Sequence, residues 1–414
     1  MKMNKLTTWI VLAMLAGVGV GYACNTMAPD AASAKEIAGY FSILTDIFLR
    51  LIKMIIAPLV FSTLVVGIAR MGDSSTIGRV GIKTFGWFIF MTVISLSLGL
   101  VMVNLLKPGV GLNLPLPDVM ASSGVSKGSM SLKDFLHHAF PTSIFDAMAR
   151  NEILQIVVFS LFFGVAAAAL GKKGEALIAD LDMVSHIMLR VTTYIMNFAP
   201  VAVFAAVAAV IAENGVGILV SYGKFMLSFY AAMLILWAII IGFGLAVVGG
   251  RTFALVRTIR EPILLAFSTA SSEAAYPKTL EQLERFGCSN RIASFVLPIG
   301  YSFNLDGSML YATFGSIFIA QAYGIHLTLW QEILMLLMLM VTSKGMAGVP
   351  RASLVVIAAT LGQFDIPEAG LLLLLGVDHF LDMGRSATNV LGNAVATAIV
   401  SKWEGQLNRH GGGE

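Results

Sequence analysis

The chain has 414 residues, of which 57% are hydrophobic and only 12% are charged, with a net charge of +3. Its mean hydropathy of +0.84 lies outside the range of soluble domains and indicates a polytopic membrane protein without a large soluble domain. The small positive charge is spread over the loops and gives no reason to expect nucleic acid as a partner. Cys24 and Cys288 are too few and too far apart to predict a disulfide framework or a metal cluster.

The first apolar segment follows two lysines and ends at Cys24, an order that superficially resembles a lipoprotein signal peptide. Tyr22 does not fit the small residues that such a cleavage site requires, so we expect a first transmembrane helix here. Seven further apolar segments are long enough to span the membrane. The eight predicted spans cover residues 7–24, 40–69, 84–106, 150–171, 183–212, 219–249, 292–322 and 370–400.

Lysine and arginine residues alternate between the loops as the positive-inside rule requires. They precede the first span, lie between spans two and three, follow span four, surround the segment after span six and follow the last span. The opposite loops, 25–37 and 107–145, carry few positive charges for their length. We therefore expect both termini in the cytoplasm.

Two segments are too interrupted to cross the membrane as straight helices. Residues 261–284 and 328–369 each contain two half-length helices separated by small residues and a proline. Such broken helices in oppositely oriented positions indicate a transporter binding site near the middle of the membrane, although two ordinary loops are the alternative. A third break, in span seven at Asn304, Asp306 and Gly307, frees carbonyl oxygens that are able to bind a cation.

The last predicted span carries a stripe of polar residues on one face of its helix. The stripe consists of Asp378, Asp382, Arg385, Asn389 and Asn393. Its first four members, spaced i, i+4, i+7 and i+11, fall within about 60° of one another around a helix. Each charge at mid-membrane costs about 2.5–3.5 kcal/mol, so the stripe must face protein or a wet cavity. We expect it to bind a charged molecule that crosses the membrane.

These features together resemble the dicarboxylate/amino-acid:cation symporter family, which includes the glutamate transporters. The resemblance reaches residue 404 and rests on four motifs in the family's order: FSTASSEAAYP, FNLDGS, SKGMAGVP and DHFLDMGRSATNVLGN. It implies an all-α membrane protein with eight transmembrane helices and two oppositely oriented re-entrant helical hairpins in an inverted-repeat fold. The most similar subgroup, the bacterial proton/glutamate-aspartate symporters, implies a homotrimer in the lipid of the bacterial inner membrane.

The resemblance also implies a division of the chain into functional parts. Residues 1–250 are expected to form mainly scaffold and trimerisation helices, with helix three moving with the transport unit. Residues 251–404 are expected to form a transport core that slides across the membrane, and residues 405–414 a cytoplasmic tail. The expected core elements are a hairpin at 255–288, helix seven at 290–322, a hairpin at 328–369 and helix eight at 370–402.

The substrate that the resemblance implies is a small acidic amino acid. Arg385 matches a carboxylate bidentately, and in the family this position binds the substrate's side-chain carboxylate. Asp382 is expected to bind the α-ammonium, which favours L-glutamate or L-aspartate over the alternative, a C4-dicarboxylate. The other expected substrate contacts are Asn389, Ser386, Ser308, Ser271, Ser272 and Val349.

The expected coupling ion is a proton, with sodium as the alternative. Sodium-coupled members of the family place a carboxylate where this chain has Asn393, and hydroxyl groups where it has Met91 and Met346. A thioether is a poor ligand for a hard cation. Asp306 is the best remaining titratable carboxylate, since the glutamate of the animal transporters is replaced by Ala312. The coupling candidates are Asp306, Asn304, Asp378 and Asn393. Weakened sodium sites would use Asn304, Asp306, Asn389 and Asn393; no cofactor and no other metal are expected.

Four further residues near these motifs have open or secondary roles. Glu273 and Lys344, on the two hairpin tips, either pair with each other or face solvent. His379 lies about 100° from the stripe and is expected to be a packing residue. Arg351 stands where the family is expected to have a small residue, and on the outer hairpin it would widen the anion field or alter gating.

Other classes of membrane protein fit the sequence less well. An intramembrane aspartyl protease requires a GxGD motif, which is absent, and no Ser–His pair is evident in the spans, so we do not expect an enzyme. A channel explains charged helices but not two hairpins whose tips are able to close over the stripe.

Overall fold

A computed structural model describes residues 5–69, 74–111, 139–215, 222–343, 352–375 and 377–408. Over these ranges the chain is helical, without strands, and has one isolated β-bridge between Cys288 and Leu407. The helices, numbered in chain order, are α1 (Lys5–Met27), α2 (Ala31–Ala69), α3 (Ser74–Leu106), α4 (Ile144–Arg150), α5 (Ile153–Ala169), α6 (Glu175–Met196), α7 (Ala199–Asn214), α8 (Gly223–Val248), α9 (Arg251–Thr258), α10 (Arg260–Thr269), α11 (Ser272–Phe286), α12 (Asn290–Phe303), α13 (Asp306–Ala322), α14 (Leu329–Thr342), α15 (Ala352–Leu361), α16 (Leu371–Leu375) and α17 (Asp378–Trp403). This all-helical structure fits a polytopic membrane protein, because a helix satisfies its backbone hydrogen bonds internally.

Four described helices are long and apolar enough to cross a membrane, judged by length and composition: α1, α2, α3 and α8. Helices α6 and α7 pass the same test as a pair but are bent by 54° at the break between them. The remaining predicted spans correspond to shorter or more polar pieces in the described ranges. Length and apolarity alone therefore do not establish eight spans, because polar or irregular residues divide several of them.

The predicted break in span seven is present in the structure. Helix α12 ends at Phe303 and α13 begins at Asp306, with non-helical backbone at Asn304 (φ −121°, ψ 62°) and Leu305 (φ −97°, ψ 64°). The last predicted span differs from the structure at its start. Helix α16 ends at Leu375 and α17 begins at Asp378, so the polar stripe starts at a helix N-terminus and not within a continuous helix.

The first predicted hairpin forms a pair of helices joined by a two-residue turn. Helix α10 ends at Thr269, and Ala270 adopts the left-handed conformation (φ 49°, ψ 36°). Ser271 caps α11, since its hydroxyl accepts a hydrogen bond from the Ala274 N–H at 3.2 Å. Helices α10 and α11 pack against each other and against α17.

The second predicted hairpin is described only in its two arms. Helices α14 and α15 flank the connecting segment and pack against each other. The predicted tip residues Lys344, Met346, Val349 and Arg351 lie outside the described residues.

Helix α17 lies in the interior of the molecule. Every residue from Gly384 to Ser401 is buried, and the helix packs against α8, α10, α12 and α13. Small residues allow the backbones to approach closely. A Cβ at Gly307 of α13 would lie 2.6 Å from the Arg385 carbonyl oxygen, so only glycine fits this crossing. The close crossing of α13 and α17 positions the polar groups described next.

A buried charged site around the last helix

Arg385 of α17 is a buried guanidinium held by two carboxylates of the same helix. Its side chain is 2% exposed, and Nη2 lies 3.0 Å from Oδ1 of Asp378 and 3.0 Å from Oδ1 of Asp382. The two carboxylates differ in accessibility, because the Asp378 side chain is 7% exposed and that of Asp382 is 37% exposed. Asp378 is therefore placed to support the arginine from within, whereas Asp382 can be reached by a solute.

Tyr311 of α13 contacts both the guanidinium of Arg385 and the carboxylate of Asp378. The guanidinium carbon of Arg385 lies 4.1 Å from the centre of the Tyr311 ring, within the range of a cation–π contact. The Tyr311 hydroxyl donates to Oδ1 of Asp378 at 3.1 Å. Sequence reasoning missed this residue, because a tyrosine within an apolar helix is indistinguishable from a packing residue.

Two nitrogen atoms of Arg385 have no acceptor among the residues that the structure describes. Nε and Nη1 are buried, and no described residue accepts a hydrogen bond from either. A buried donor without a partner costs about 1–3 kcal/mol, and more when it is charged. A guanidinium presents its donors in a planar fork that matches a carboxylate. The open donors of Arg385 are thus suited to an anionic group of a bound solute.

Asn389 connects α17 to the start of α13. Its Oδ1 accepts from the backbone N–H of Gly307 at 2.9 Å, and its Nδ2 donates to Oγ of Ser308 at 3.3 Å. Both polar atoms of the amide therefore have protein partners in this structure, whereas the sequence predicts a contact with substrate. Ser386 is buried beside Arg385 on α17.

The two predicted hairpin serines, Ser271 and Ser272, make their described contacts within their own hairpin. The Ser271 hydroxyl is used as the cap of α11, and Ser272 is the first residue of that helix and is partly exposed. Glu273, also partly exposed, has Lys53 and Glu152 as its electrostatic neighbours. His379 is exposed, so the prediction that it is a packing residue is wrong.

A second polar cluster lies where span seven is broken. Nδ2 of Asn304 donates to Oδ2 of Asp306 at 3.2 Å and to Oδ1 of Asn393 at 3.3 Å. The Ser95 hydroxyl of α3 donates to Oδ1 of Asp306 at 3.2 Å. A Cβ on Gly392 would collide with Asp306, so this glycine is required for the close approach.

This second cluster contains a carboxylate and unused polar atoms deep in the protein. Asp306 and Asn393 are each 1% exposed and Asn304 is fully buried. Oδ1 of Asn304 and Nδ2 of Asn393 have no hydrogen-bond partner in the described part of the chain. Sequence reasoning missed Ser95, which lies one turn after the buried Met91; a hydroxyl in an apolar helix was the only available signal. The cluster is suited to hold a proton or a small cation.

An apolar helical bundle with broken helices and a buried ion pair that has open donors defines a membrane transporter with a solute site in its interior. The chain belongs to the sodium:dicarboxylate symporter family, whose family model matches residues 6–403. It is therefore a transporter and not an enzyme.

Three relatives of similar identity differ in the substrate for which they are named. The chain is 41% identical over 385 residues to the proton/sodium-glutamate symport protein of Geobacillus stearothermophilus, covering 91% of each chain. It is 42% identical over 372 residues to the proton/glutamate-aspartate symporter of Escherichia coli (strain K12), covering 88% of this chain and 85% of that one. It is also 40% identical over 405 residues to a C4-dicarboxylate transport protein of Laribacter hongkongensis (strain HLHK9), covering 96% and 89%.

Proposed function

We propose that this protein is a secondary active transporter that imports L-glutamate or L-aspartate together with protons. The observation that carries the proposal is the buried guanidinium of Arg385, with open Nε and Nη1 donors beside a partly exposed Asp382. Two of the relatives described above are named for glutamate or aspartate transport, which supports the substrate class. In this proposal Arg385 binds the side-chain carboxylate and Asp382 binds the α-ammonium.

The charge balance of the site favours an amino acid over a C4-dicarboxylate. Asp378, Asp382 and Arg385 together carry a net charge of −1 when all are ionised. An acidic amino acid brings an ammonium that pairs with Asp382, while its side-chain carboxylate binds the open donors of Arg385. A C4-dicarboxylate would place a second carboxylate beside Asp382 without a cation, and like charges at short distance are unfavourable in a low-dielectric site. The relative named for C4-dicarboxylates keeps that substrate class as the alternative.

Proton coupling is proposed from the second cluster. Asp306 is its carboxylate; its hydrogen-bond donors in the described part of the chain include the Asn304 amide and the Ser95 hydroxyl, and Asn304 also donates to Asn393. A single carboxylate among neutral groups binds a proton without any further ligand. Sodium, in contrast, prefers several oxygen ligands around it. Sodium coupling at Asn304, Asp306, Asn389 and Asn393 is the alternative.

An elevator mechanism is proposed from the way the helices pack. Helices α3, α8, α10, α12 and α13 gather around α17, while α1, α2, α5, α6 and α7 pack mainly on one another. Tyr230 and Trp237 of α8 bond to Phe380 and Thr388 of α17, so in this proposal α8 moves with the core. The two helical pairs α10–α11 and α14–α15 are proposed to be the re-entrant hairpins. The homotrimer, the cytoplasmic termini and the inner-membrane location are proposed on the family resemblance.

The experiment that tests the proposal is uptake of labelled aspartate into proteoliposomes, with the inside alkaline and no sodium on either side. We expect accumulation that a protonophore abolishes, and little accumulation of succinate in a parallel assay. Aspartate uptake that requires added sodium would refute proton coupling. Accumulation of succinate in place of aspartate would refute the role given to Asp382.

A further inference from the structure

A groove of about 410 Å³ lies between α3, α8 and the end of α17. It is separate from the charged site, and none of the residues assigned to that site lines it. Its wall consists of aromatic side chains from three helices, and Lys83 of α3 also lines it. The aromatic residues are Trp87, Phe90, Phe243 and Trp403.

The aromatic rings form one continuous cluster with an open face. The ring centre of Trp87 lies 5.7 Å from that of Phe243 and 5.9 Å from that of Trp403, and Phe90 lies 5.2 Å from Phe243. Phe90 is 45% exposed and Trp403 is 41% exposed. In a membrane protein, tryptophans exposed near the end of a helix are typical of the level of the lipid headgroups. The wall therefore offers an apolar surface that lipid acyl chains can cover.

Trp87 contributes the face of its ring to this wall. The residue is 7% exposed, and its Nε1–H is buried without an acceptor among the residues that the structure describes. The indole N–H is therefore out of reach of a molecule in the groove.

The groove carries an excess of positive charge at one end. Nζ of Lys83 lies 2.7 Å from Oε1 of Glu404, and Nη2 of Arg79 lies 2.9 Å from Oε2 of the same carboxylate. Burial alone would raise the pKa of Glu404, but hydrogen bonds from Arg79 and Lys83 outweigh it and lower that pKa, so Glu404 is ionised at neutral pH. Two cations then face one carboxylate. The Arg79 and Lys83 side chains remain 54% and 33% exposed.

We propose that this groove is a binding site for an anionic phospholipid of the surrounding bilayer. The acyl chains cover the aromatic wall, and the headgroup phosphate binds Lys83 and Arg79. A zwitterionic lipid fits the same wall but would place its own cation near Lys83 and Arg79. The site is independent of the transported substrate and of the coupling ion.

The test measures quenching of groove tryptophans by brominated lipids. A protein with Trp9, Trp237 and Trp330 replaced by Phe keeps Trp87 and Trp403 as its fluorophores, since the chain has five tryptophans. It is placed in phosphatidylcholine vesicles containing a minor fraction of either brominated phosphatidylglycerol or brominated phosphatidylcholine. We expect stronger quenching by the phosphatidylglycerol, which reports preferential occupancy of the groove.

Two substitutions distinguish a lipid site from a structural ion pair. Lys83→Gln and Glu404→Gln break the same contact but change the net charge of the groove in opposite directions. We expect Lys83→Gln to lower the preference for phosphatidylglycerol by about fivefold and Glu404→Gln to raise it by a similar factor. Lys35→Gln, a change at an exposed lysine of α2, is the matched control and should leave the preference unchanged.

Three results would overturn the proposal. Equal quenching by the two lipids would mean ordinary contact with the bilayer, and no quenching by either would mean that protein, such as a second copy of this chain, covers the groove. A shift in the same direction for Lys83→Gln and Glu404→Gln would mean that only the ion pair matters. If the tryptophan replacements prevent folding, native mass spectrometry of the protein with all five tryptophans compares phosphatidylglycerol retention between the same variants.

Discussion

Asp382 differs from the two charged residues beside it in being accessible. Arg385 and Asp378 have almost fully buried side chains, and Asp378 is further held by the Tyr311 hydroxyl. Removing one residue of a buried ion pair leaves the other charge buried and unpaired, which strongly destabilises the fold. Asp378 and Arg385 are therefore difficult to substitute without affecting folding. Asp382 is the position at which a change affects recognition most directly.

We expect Asp382→Asn to weaken aspartate binding by about thirtyfold, because removing one partner of a desolvated charge pair costs at least about 2 kcal/mol. Binding of succinate should strengthen, since its second carboxylate no longer meets an anion. The measurement is the rise in melting temperature in detergent over a series of ligand concentrations, from which Kd follows because the stabilisation equals RT ln(1 + [L]/Kd). Asp180→Asn, at an exposed carboxylate of α6, is the control. Unchanged aspartate affinity in the Asp382 variant would contradict its role.

At the scale of single residues, the sequence predicts the polar stripe of α17 but not all of the residues that contact it. Charges are rare in an apolar span, so Asp378, Asp382 and Arg385 are conspicuous. Tyr311 and Ser95 are ordinary residues for a buried helix. Their contacts arise only from the crossing of α13 and α3 with the polar residues, which no local pattern encodes.

At the scale of helices, glycines set how closely α12, α13 and α17 approach one another. Gly300 faces Asn393, Gly307 faces the backbone of Arg385, and Gly392 faces Asp306. Each contact joins a broken helix to the last helix at a polar residue of one of the two clusters. The geometry of the two clusters therefore depends on the lack of a side chain at these three glycines as well as on the polar side chains themselves.

We expect Gly392→Ala to lower the melting temperature and to abolish uptake, because the added methyl displaces Asp306 and overpacking of a core costs about 1–3 kcal/mol. Gly242→Ala is the matched control, since Gly242 lies on an exposed face of α8 with open space around its Cα. That change should be neutral or slightly stabilising, as alanine is the better helix former. A Gly392 variant as stable and active as the control would show that the close approach is dispensable.

Helix boundaries are predicted well where glycine, proline or polar residues interrupt an apolar run, as at Asn304 and at Ala270. The bend between α6 and α7 and the break before Asp378 are not predicted, although Pro200 and Gly376 lie beside them, because the surrounding apolar runs are long enough to be interpreted as single spans. Apolar content determines that a segment is buried in lipid or protein. Tertiary contacts determine where within it the helix ends.

At the scale of the whole molecule, the two helical groups meet where α12 packs on α2. A Cβ at Gly67 of α2 would lie 3.6 Å from the Cβ of Ser294 of α12. This separation falls within the range of about 3.5–4.5 Å between Cβ atoms in disulfides. The contact offers a way to connect the proposed scaffold to the proposed moving core covalently.

We expect a Gly67→Cys, Ser294→Cys double variant, in a background with Cys24→Ser and Cys288→Ala, to lose aspartate uptake on oxidation and to recover it on reduction. The reason is that a covalent link prevents sliding of α12 along α2. Each single cysteine variant, treated in the same way, should keep its uptake. Full uptake by the fully cross-linked protein would exclude relative motion of these helices during transport.

The burial of α17 on all sides has a consequence for how the protein is made. Its partners α3, α8, α10, α12 and α13 all precede it in the chain, so ribosomes complete them first. Until α17 inserts among them, the Asn304 side chain and the Gly307 backbone N–H lack the partners that Asn393 and Asn389 provide. The chain therefore passes through biogenesis with a polar cleft in its membrane domain, and a chain that ends before residue 378 never closes it.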